Sequence, residues 1–313
     1  MYDLIGDIHG YASALKRLLR KLGYQEREGT WQHVERKVIF LGDFVDRGPE
    51  QVETVQIARR MVEAGHALAV MGNHEFNAVA WATPCAERTG EFLRVHSDKN
   101  REQHYAFLVQ IGEGSHQHLD TIEWFKTLPL YLDLGGLRVI HACWHPRQIE
   151  ALASHLDVHA RIRSGSWSAV CTEGSEAFDA VEILLKGMEI PLPSGLHFKD
   201  KYGHRRSRTR TRWWQEGEQL TYRDLAMVPP SIIDQIPHEP VPADLQPGYD
   251  GSKPLFIGHY WMTGTPTLIT DQIACLDYSI AGEDPGRAKL CAYRWSGEGK
   301  LSEKNFVWVG RET

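Results

Sequence analysis

Three short segments of this chain place carboxylate, imidazole and amide side chains directly after apolar runs. They are Gly6-Asp7-Ile8-His9-Gly10, Gly42-Asp43-Phe44-Val45-Asp46-Arg47-Gly48 and Gly72-Asn73-His74-Glu75. Two further histidines, His141 and His259, also follow apolar runs. The donors in this set are oxygens and imidazole nitrogens without a thiolate, and such donors suit first-row divalent metals such as Mn, Fe or Zn.

Six of these residues are candidate metal ligands, which is too many for a single tetrahedral zinc ion. They are Asp7, His9, Asp43, Asn73, His141 and His259. The number suits two metal ions that share one carboxylate, and Asp43, at the centre of the motifs, is the expected bridge. Two metals about 4 Å apart would hold a phosphoryl oxygen and lower the pKa of a bridging water to about 7. We therefore expect a metal-bridging hydroxide to attack phosphorus directly, in line, without a covalent intermediate.

A shared site requires that the ends of several strands converge. Apolar runs at 2–5, 37–41 and 67–71 alternate with helical patterns that start after Gly10 and at Pro49. This β-α-β-α-β order predicts parallel pairing and right-handed crossovers. Open α/β sheets place their ligand sites beyond the carboxyl ends of such strands.

The later strands complete the predicted architecture. Gly135-Gly136 reads as a hairpin turn between two apolar runs, the second of which ends at His141. The run at 255–257 ends at Gly258-His259. The remaining apolar runs, at 273–276, 288–295 and 305–309, are expected to form antiparallel edges of a second sheet.

Composition narrows the class of protein. The chain has 313 residues, of which 42% are hydrophobic and 24% charged, as in ordinary globular domains. We expect one domain over 1–313, with the Pro-, Gly- and charge-rich segment 155–254 as a lid insertion within it. The net charge of −6 argues against a general nucleic-acid coat protein.

The expected compartment is the cytoplasm. Five widely spaced cysteines without a C-x-x-C pair argue against a disulfide framework and favour a reducing environment. The first motif begins at Gly6, which leaves no room for a signal peptide before it. No apolar run reaches membrane-spanning length, so no membrane partner is expected.

Together, these motifs resemble the calcineurin-like metallophosphoesterase superfamily. The Asp46-Arg47-Gly48 variant resembles its phosphoprotein-phosphatase branch, which includes bacterial symmetrical diadenosine tetraphosphate hydrolase-like enzymes. The resemblance covers roughly 1–145 and 255–295. It implies an α/β fold in which a two-sheet β-sandwich is flanked by helices in four layers. It also implies two divalent metal ions, with manganese as the first expectation.

The resemblance further implies a role for each residue of the set. One metal would be held by Asp7, His9 and Asp43, and the other by Asp43, Asn73, His141 and His259. His74 would protonate the leaving group with Asp46 as its hydrogen-bonding partner, since a carboxylate keeps an imidazole protonated and oriented. Arg47 would bind phosphate oxygens in a fork. The simpler alternative for Asp46 is a cap of the following helix, and Glu75 is expected to be a structural hydrogen-bonding residue.

A basic run at 199–214 has two interpretations. Arg206, Arg208, Arg210 and Arg212 would share one face of an extended segment. They could protect a solvated edge strand, or they could bind phosphate above the metals. Related phosphatases place an additional arginine between the last two histidine motifs, which makes Arg210 and Arg212 substrate-binding candidates and Lys186 and Lys199 weaker ones. Trp213 and Trp214 are expected to pack within the lid.

These observations predict a metal-dependent hydrolase of phosphate esters or anhydrides. A bulky basic lid suits a small polyanion such as a dinucleoside polyphosphate, which would make the chain a diadenosine tetraphosphatase. A Ser/Thr or Tyr protein phosphatase is the nearest alternative, and processing of RNA or nucleotide ends is a third. A non-catalytic scaffold on the same fold would have lost a ligand or the His74–Asp46 pair, and both are present here.

Overall fold

The computed structural model describes residues 1–199, 205–217, 219–242 and 245–312. The strands are β1 (Tyr2–Ile5), β2 (Gln25–Arg27), β3 (Thr30–Gln32), β4 (Lys37–Phe40), β5 (Ala67–Ala69), β6 (Tyr131–Asp133), β7 (Arg138–Ile140), β8 (Glu189–Pro191), β9 (Phe198–Lys199), β10 (Arg205–Arg206), β11 (Arg208–Arg210), β12 (Leu255–Ile257), β13 (Ile273–Cys275), β14 (Asp277–Tyr278), β15 (Lys289–Trp295) and β16 (Phe306–Gly310). The α-helices are α1 (Ala12–Leu22), α2 (Gln51–Glu63), α3 (Asn73–Ala82), α4 (Asp98–Ile111), α5 (His116–Lys126), α6 (Pro146–Ala151), α7 (Trp167–Cys171), α8 (Glu176–Lys186) and α9 (Tyr222–Leu225).

The first sheet contains the three strands that lead into the amino-terminal motifs. Its order is β14-β15-β1-β4-β5, with β16 also paired to β15. β1, β4 and β5 are parallel, and their register aligns Ile5 with Phe40 and Phe40 with Ala69. The three chain segments therefore leave the sheet at the same level, as the β-α-β-α-β pattern predicts.

The second sheet carries the two later histidine motifs. Its order is β13-β12-β7-β6, in which β12 is parallel to both β7 and β13. The β6–β7 hairpin turns at Gly135-Gly136, as predicted. The amide of Gly258 donates to the carbonyl of His141 over 2.8 Å, so these two strand ends stay side by side.

The two sheets pack face to face with helices outside. Alternate residues of strands in both sheets form one apolar cluster between them, which includes Leu4, Ile39, Val139, Phe256 and Tyr293. The opposite faces of the strands pack against helices in a second cluster, which includes Ile5, Phe40, Leu15, Ile257 and Leu184. Each sheet is thus buried on both faces, and the four-layer sandwich predicted for the chain is confirmed.

Helix α1 shows how the local sequence determines the buried face of a helix and the residue at which it ends. Leu15, Leu18, Leu19 and Leu22 recur at helical spacing and are all buried. Gly23 ends the helix with a φ of +92°, a conformation that glycine adopts without strain. Helix α2 begins at Gln51 and not at Pro49, because the amides of Gly48 and Glu50 donate to the carbonyls of His9 and Gly10.

The prediction for the carboxyl-terminal strands was wrong in two respects. β13 joins the second sheet, but it is parallel to β12. β15 and β16 belong to the first sheet, where β15 pairs antiparallel with β1. The residues of β15 explain this position: Leu290 and Ala292 pack with the helices, and Cys291 and Tyr293 pack between the sheets.

Segment 155–254 folds into short helices and strands, although its strand signals were weak. Its buried apolar side chains, among them Trp167, Val181 and Leu185, belong to the same cluster as the outer faces of the sheets. Residues 200–204 of the basic run lie outside the described residues. In the described parts of the chain, the helices are too short or too polar to cross a lipid bilayer.

Candidate functional site

The six predicted ligands form one continuous series of contacts at the edge where the strands of both sheets end. The amide of His259 donates to Asp7 Oδ2 over 3.0 Å, and His259 Nδ1 lies 2.8 Å from Asn73 Oδ1. His141 Nε2 lies 3.1 Å from that same oxygen and 3.4 Å from Asp43 Oδ2. His9 Nε2 lies 3.7 Å from Asp43 Oδ2. Segments up to 252 positions apart in the chain thus meet in one place.

The donor atoms fall into two groups that share one carboxylate. One group is His9, Asp43 and His74, and the other is Asp43, His141 and His259. Within each group all the donor atoms lie within 4.8 Å of one another. This arrangement fits two cations with Asp43 between them. Asp7 lies outside both groups but contacts His259, whereas His74, expected to be an acid, lies within the first.

Several donor atoms of this site are buried and have no hydrogen-bond partner among the described residues. They are Asp7 Oδ1, His9 Nε2 and His259 Nε2. Buried polar atoms are almost always paired in folded proteins, so three orphans in one site indicate a ligand. His9 Nδ1 donates to the Val45 carbonyl over 3.1 Å and His141 Nδ1 to the Leu41 carbonyl over 2.7 Å. Each bond uses the Nδ1 proton, so Nε2 is the nitrogen left to bind a metal.

Two glycines allow the backbone to pass against the acidic ligands. A Cβ atom at Gly258 would lie 2.1 Å from Asp7 Oδ1, and one at Gly72 would lie 2.2 Å from Asp43 Oδ1. No side chain fits at either position unless a ligand moves. The glycines that precede Asn73 and His259 are therefore required by the site itself.

The site holds five of its non-glycine residues in left-handed backbone conformations. They are His9, Asp43, Asp46, Arg47 and His259, with φ between +48° and +72°. Such conformations carry strain that the surroundings must offset. Glu75 does so by accepting the amides of Asp43, Phe44 and Gly72 at 2.7–3.0 Å. Gln51 accepts the amide of Asp46 over 2.6 Å. Glu75 thus has the structural role expected from the sequence.

Electrostatics keep most of the ligands in the forms that bind cations. Burial lowers the pKa of His9 to about 3, and burial together with Arg210 holds the pKa of His259 well below its usual value. Both imidazoles are therefore neutral. Burial opposes ionisation of Asp43, but the imidazoles of His141 and His74 outweigh it and hold the pKa of Asp43 well below its usual value.

Two ligands would each lose a proton when a cation binds. Burial, and then Asp277, raise the pKa of Asp7 well above its usual value. Burial lowers the pKa of His141, but Asp43 prevails and raises it to about 10. A divalent cation would displace both protons, since ligands bind metal in their deprotonated forms.

Asp46 joins two imidazoles beside the ligands. His74 Nδ1 donates to Asp46 Oδ2 over 2.5 Å, and His104 Nδ1 donates to Asp46 Oδ1 over 2.6 Å. Burial lowers the pKa of His74, but Asp43 and Asp46 outweigh burial and raise it above its usual value. His74 Nε2 lies 3.8 Å from Asp43 Oδ2, so a protonated nitrogen faces the ligand group.

Sequence reasoning missed His104, which lies on α4 outside every motif. The available signal was its spacing, because His104, Phe107, Leu108 and Ile111 form the buried face of that helix. A histidine on such a face needs a polar partner. Only the fold shows that this partner is Asp46, 58 positions earlier in the chain.

The predicted substrate-binding arginines occupy different environments. Arg47 is exposed and its guanidinium lies 4.6 Å from the ring centroid of Trp261. Arg47, Arg210 and the weaker candidate Lys186 line a cleft with His74 and His259. Arg212 does not line it, because its Nη1 donates to the carbonyls of Asp224 and Ala226 at 3.2 and 2.9 Å. We therefore withdraw Arg212 as a substrate ligand.

The two tryptophans at the end of the basic run pack in the protein interior, as expected. Trp213 and Trp214 are both buried. The indole N–H of Trp213 donates to the Tyr260 hydroxyl over 2.8 Å, next to His259 in the chain.

Comparisons with known proteins agree with this geometry. The family model described as calcineurin-like phosphoesterase matches residues 2–260. A bis(5'-nucleosyl)-tetraphosphatase PrpE of the asymmetrical type from Oceanobacillus iheyensis is 32% identical over 141 residues, which are 45% of this chain and 54% of that protein. The PrpE of a Geobacillus strain is 45% identical over 73 residues, covering 23% of this chain and 30% of its own.

The chain spans about half the length, or less, of these curated relatives. Both relatives are named as the asymmetrical type, whereas the motifs resemble the symmetrical branch. Among solved structures, a cold-active protein-tyrosine phosphatase from a psychrophilic Shewanella species superposes with a TM-score of 0.51 at 15% identity. That match covers 99% of this chain and 80% of the other, and shows a common fold.

The match over residues 2–260 spans the five strand ends from Asp7 to His259 that build the site. This chain belongs to the calcineurin-like phosphoesterase family.

Proposed function

We propose that this protein hydrolyses phosphate esters or anhydrides with two divalent metal ions bound around Asp43. When bound, the metals polarise the phosphoryl oxygens and activate water for direct attack on phosphorus. The oxygen and imidazole donors suit Mn, Fe or Zn, and manganese is our first expectation. The observation that carries the proposal is the pair of ligand groups that share Asp43 while three buried donor atoms beside them lack a partner among the described residues.

The chain itself would position the ligands. Asp7, His9 and Asp43 would hold one metal, and Asp43, Asn73, His141 and His259 the other. The bonds from His9 to the Val45 carbonyl and from His141 to the Leu41 carbonyl orient the two rings. Such outer contacts fix ring direction and raise ligand basicity.

Side chains beside the ligands would protonate the leaving group and bind the phosphate. His74 is held protonated by Asp43 and Asp46, and its Nε2 faces the ligand groups, so it would donate to the departing oxygen. Arg47 and Arg210 would bind the non-bridging phosphate oxygens, which a guanidinium contacts in a fork. The contact of Arg47 with Trp261 would limit its rotation before substrate binds.

The substrate that the site supports best is a small nucleotide with linked phosphates. The relatives are named for tetraphosphates of this kind. Lys186 and Arg210 come from segment 155–254 and line the cleft, so we propose that this segment is a lid over a polyanion within the single domain 1–313. A phosphoprotein would require an open groove in place of this lid.

Replacement of His74 by Asn tests the proposed acid. The Asn side chain cannot donate a proton, so kcat should fall by about 10² or more with a diadenosine tetraphosphate substrate. Two metals per chain should remain, measured by plasma mass spectrometry. His116→Asn, an exposed position at the start of α5, is the matched control. Near-normal turnover of His74→Asn would exclude His74 as the acid, and wild-type protein that binds metal but hydrolyses no phosphate compound would exclude the proposed activity.

A further inference from the structure

The cleft that contains His74 extends well beyond the metal ligands. Its volume is about 510 Å³, within the usual range for small-molecule sites. Its lining includes Asn73, His74 and His259. It also includes Asn77, Arg94 and Gln103, which no motif singled out, and we call the part formed by these three residues the outer end.

Arg94 holds its guanidinium in this outer end by an unusual set of partners. Nη1 donates to Asn77 Oδ1 over 2.5 Å, and Nη2 donates to Asn100 Oδ1 over 3.0 Å and to Gln103 Oε1 over 3.3 Å. All three acceptors are neutral amides. They fix the plane of the guanidinium without neutralising its charge, and two of its five N–H donors have no acceptor among the described residues.

Several other arginines with buried or half-buried side chains in this protein pair with carboxylates, although Arg212 donates to carbonyls and Arg210 Nε has no partner among the described residues. Arg36 lies 2.9 Å from Asp3, Arg59 lies 2.7 Å from Glu63, and Arg138 lies 2.8 Å from Asp250. Within the described part of the chain, Arg94 instead donates to the three amide oxygens and forms no ion pair. Burial lowers the pKa of Arg94 from the ordinary value, with the Glu182 and Asp46 carboxylates acting in the opposite direction. A partly desolvated charge without a direct ion pair favours a ligand that supplies one.

Two more cations lie along the same cleft. Lys186, at the end of α8, forms an ion pair with Glu182 one helical turn earlier. Arg210 lines the cleft together with the proposed metal ligand His259, and its buried Nε has no partner among the described residues. Glu102 also lines the cleft but is exposed. Positive side chains thus continue from the proposed metal centre to the outer end.

We propose that Arg94, with Lys186, forms a second phosphate site, which binds the phosphate next to the one that is hydrolysed. This inference rests on the proposed function and narrows its substrate class. The cleft would select compounds with at least two linked phosphates, such as nucleoside and dinucleoside polyphosphates, over phosphomonoesters. The three amide acceptors hold the Arg94 guanidinium in place, and its remaining N–H groups would donate to this anion.

The test compares two substrates of the metal-loaded full chain. The selectivity ratio is kcat/KM for diadenosine tetraphosphate divided by kcat/KM for p-nitrophenyl phosphate, which has no second phosphate. Arg94→Gln should lower this ratio at least about tenfold, mainly through KM, because charge-assisted hydrogen bonding to the second phosphate is lost. Lys186→Gln should also lower the selectivity ratio. Arg27→Gln, in the exposed β2–β3 hairpin, should leave it unchanged. An unchanged ratio for Arg94→Gln, or an equal fall with both substrates, would overturn the inference.

Binding keeps this test independent of turnover. Calorimetry should show that Arg94→Gln weakens the binding of pyrophosphate at least about tenfold more than the binding of orthophosphate. If the wild type hydrolyses neither substrate, the proposed function fails, while the pyrophosphate result still decides whether the outer site exists. Arg94→Lys, which keeps the charge without the guanidinium, guards against misfolding as the cause, and its affinity for pyrophosphate should fall between those of the wild type and Arg94→Gln. If Arg94→Gln loses more affinity for a phosphopeptide than for pyrophosphate, the outer site binds a protein substrate and the inference is contradicted.

Discussion

Asp46→Asn is the substitution that tests the proposed proton donor most closely. The Asp46 carboxylate accepts two imidazole N–H groups, from His74 at 2.5 Å and from His104 at 2.6 Å. An amide has one acceptor oxygen, so one of the two N–H groups would lose its partner. The backbone should tolerate the change, since asparagine adopts positive φ more readily than most residues and Asp46 has a φ of +70°.

The magnitude follows from the charge that is removed. An opposite charge within about 4–6 Å shifts a pKa by about 1 to 3, and Asp46 is among the causes of the raised pKa of His74. His74 must be protonated to act as an acid, so turnover falls as pH rises through its pKa. Loss of the Asp46 charge lowers that pKa. The alkaline limb of the kcat profile should therefore shift to lower pH by about one pH unit or more. Misorientation of the ring should also lower kcat at the optimum, by about 10 to 100-fold.

The assay is a kcat profile from pH 5 to 10 at saturating substrate and fixed metal. Asp120→Asn, at an exposed carboxylate that pairs with Arg59, is the matched control and should reproduce the wild-type profile. An alkaline limb that stays in place or moves up in Asp46→Asn would refute the argument that Asp46 maintains the charge of His74.

Two further predictions concern residues next to the proposed centre. Gly258→Ala places a Cβ where Asp7 Oδ1 lies, so the protein should lose metal, measured by plasma mass spectrometry, whereas Gly299→Ala, at an open position, should retain it. Full metal content in Gly258→Ala would contradict the proposed role of Asp7. His104→Leu removes a donor to Asp46 and should lower kcat about tenfold at constant KM, whereas His104→Asn keeps a donor and should retain most turnover. Equal kcat in the two His104 variants would exclude a positioning role.

The parts of the fold that sequence predicted are those set by local patterns. The spacing of Leu15, Leu18, Leu19 and Leu22 defines α1, and the alternation of apolar runs with helices defines the parallel strands β1, β4 and β5. Because parallel strands end at one edge, the residues that follow them were expected together, and the structure brings them together.

Other features depend on contacts that no local pattern encodes. β15 is apolar on both faces, and such a strand fits the middle of either sheet, so its pairing with β1 could not be read from its sequence. Arg212 and Arg210 are two positions apart, yet one donates to lid carbonyls and the other lines the cleft. His104 and Arg94 acquire their partners only when α3 and α4 pack beside the strand ends.

The central claim is that two cations share Asp43, and anomalous X-ray diffraction from crystals grown with manganese tests it most directly. We predict two anomalous peaks about 4 Å apart, one on each side of the Asp43 carboxylate. One peak should be next to His9 and the other next to His141 and His259. A single peak, or manganese bound away from Asp43, would contradict the account.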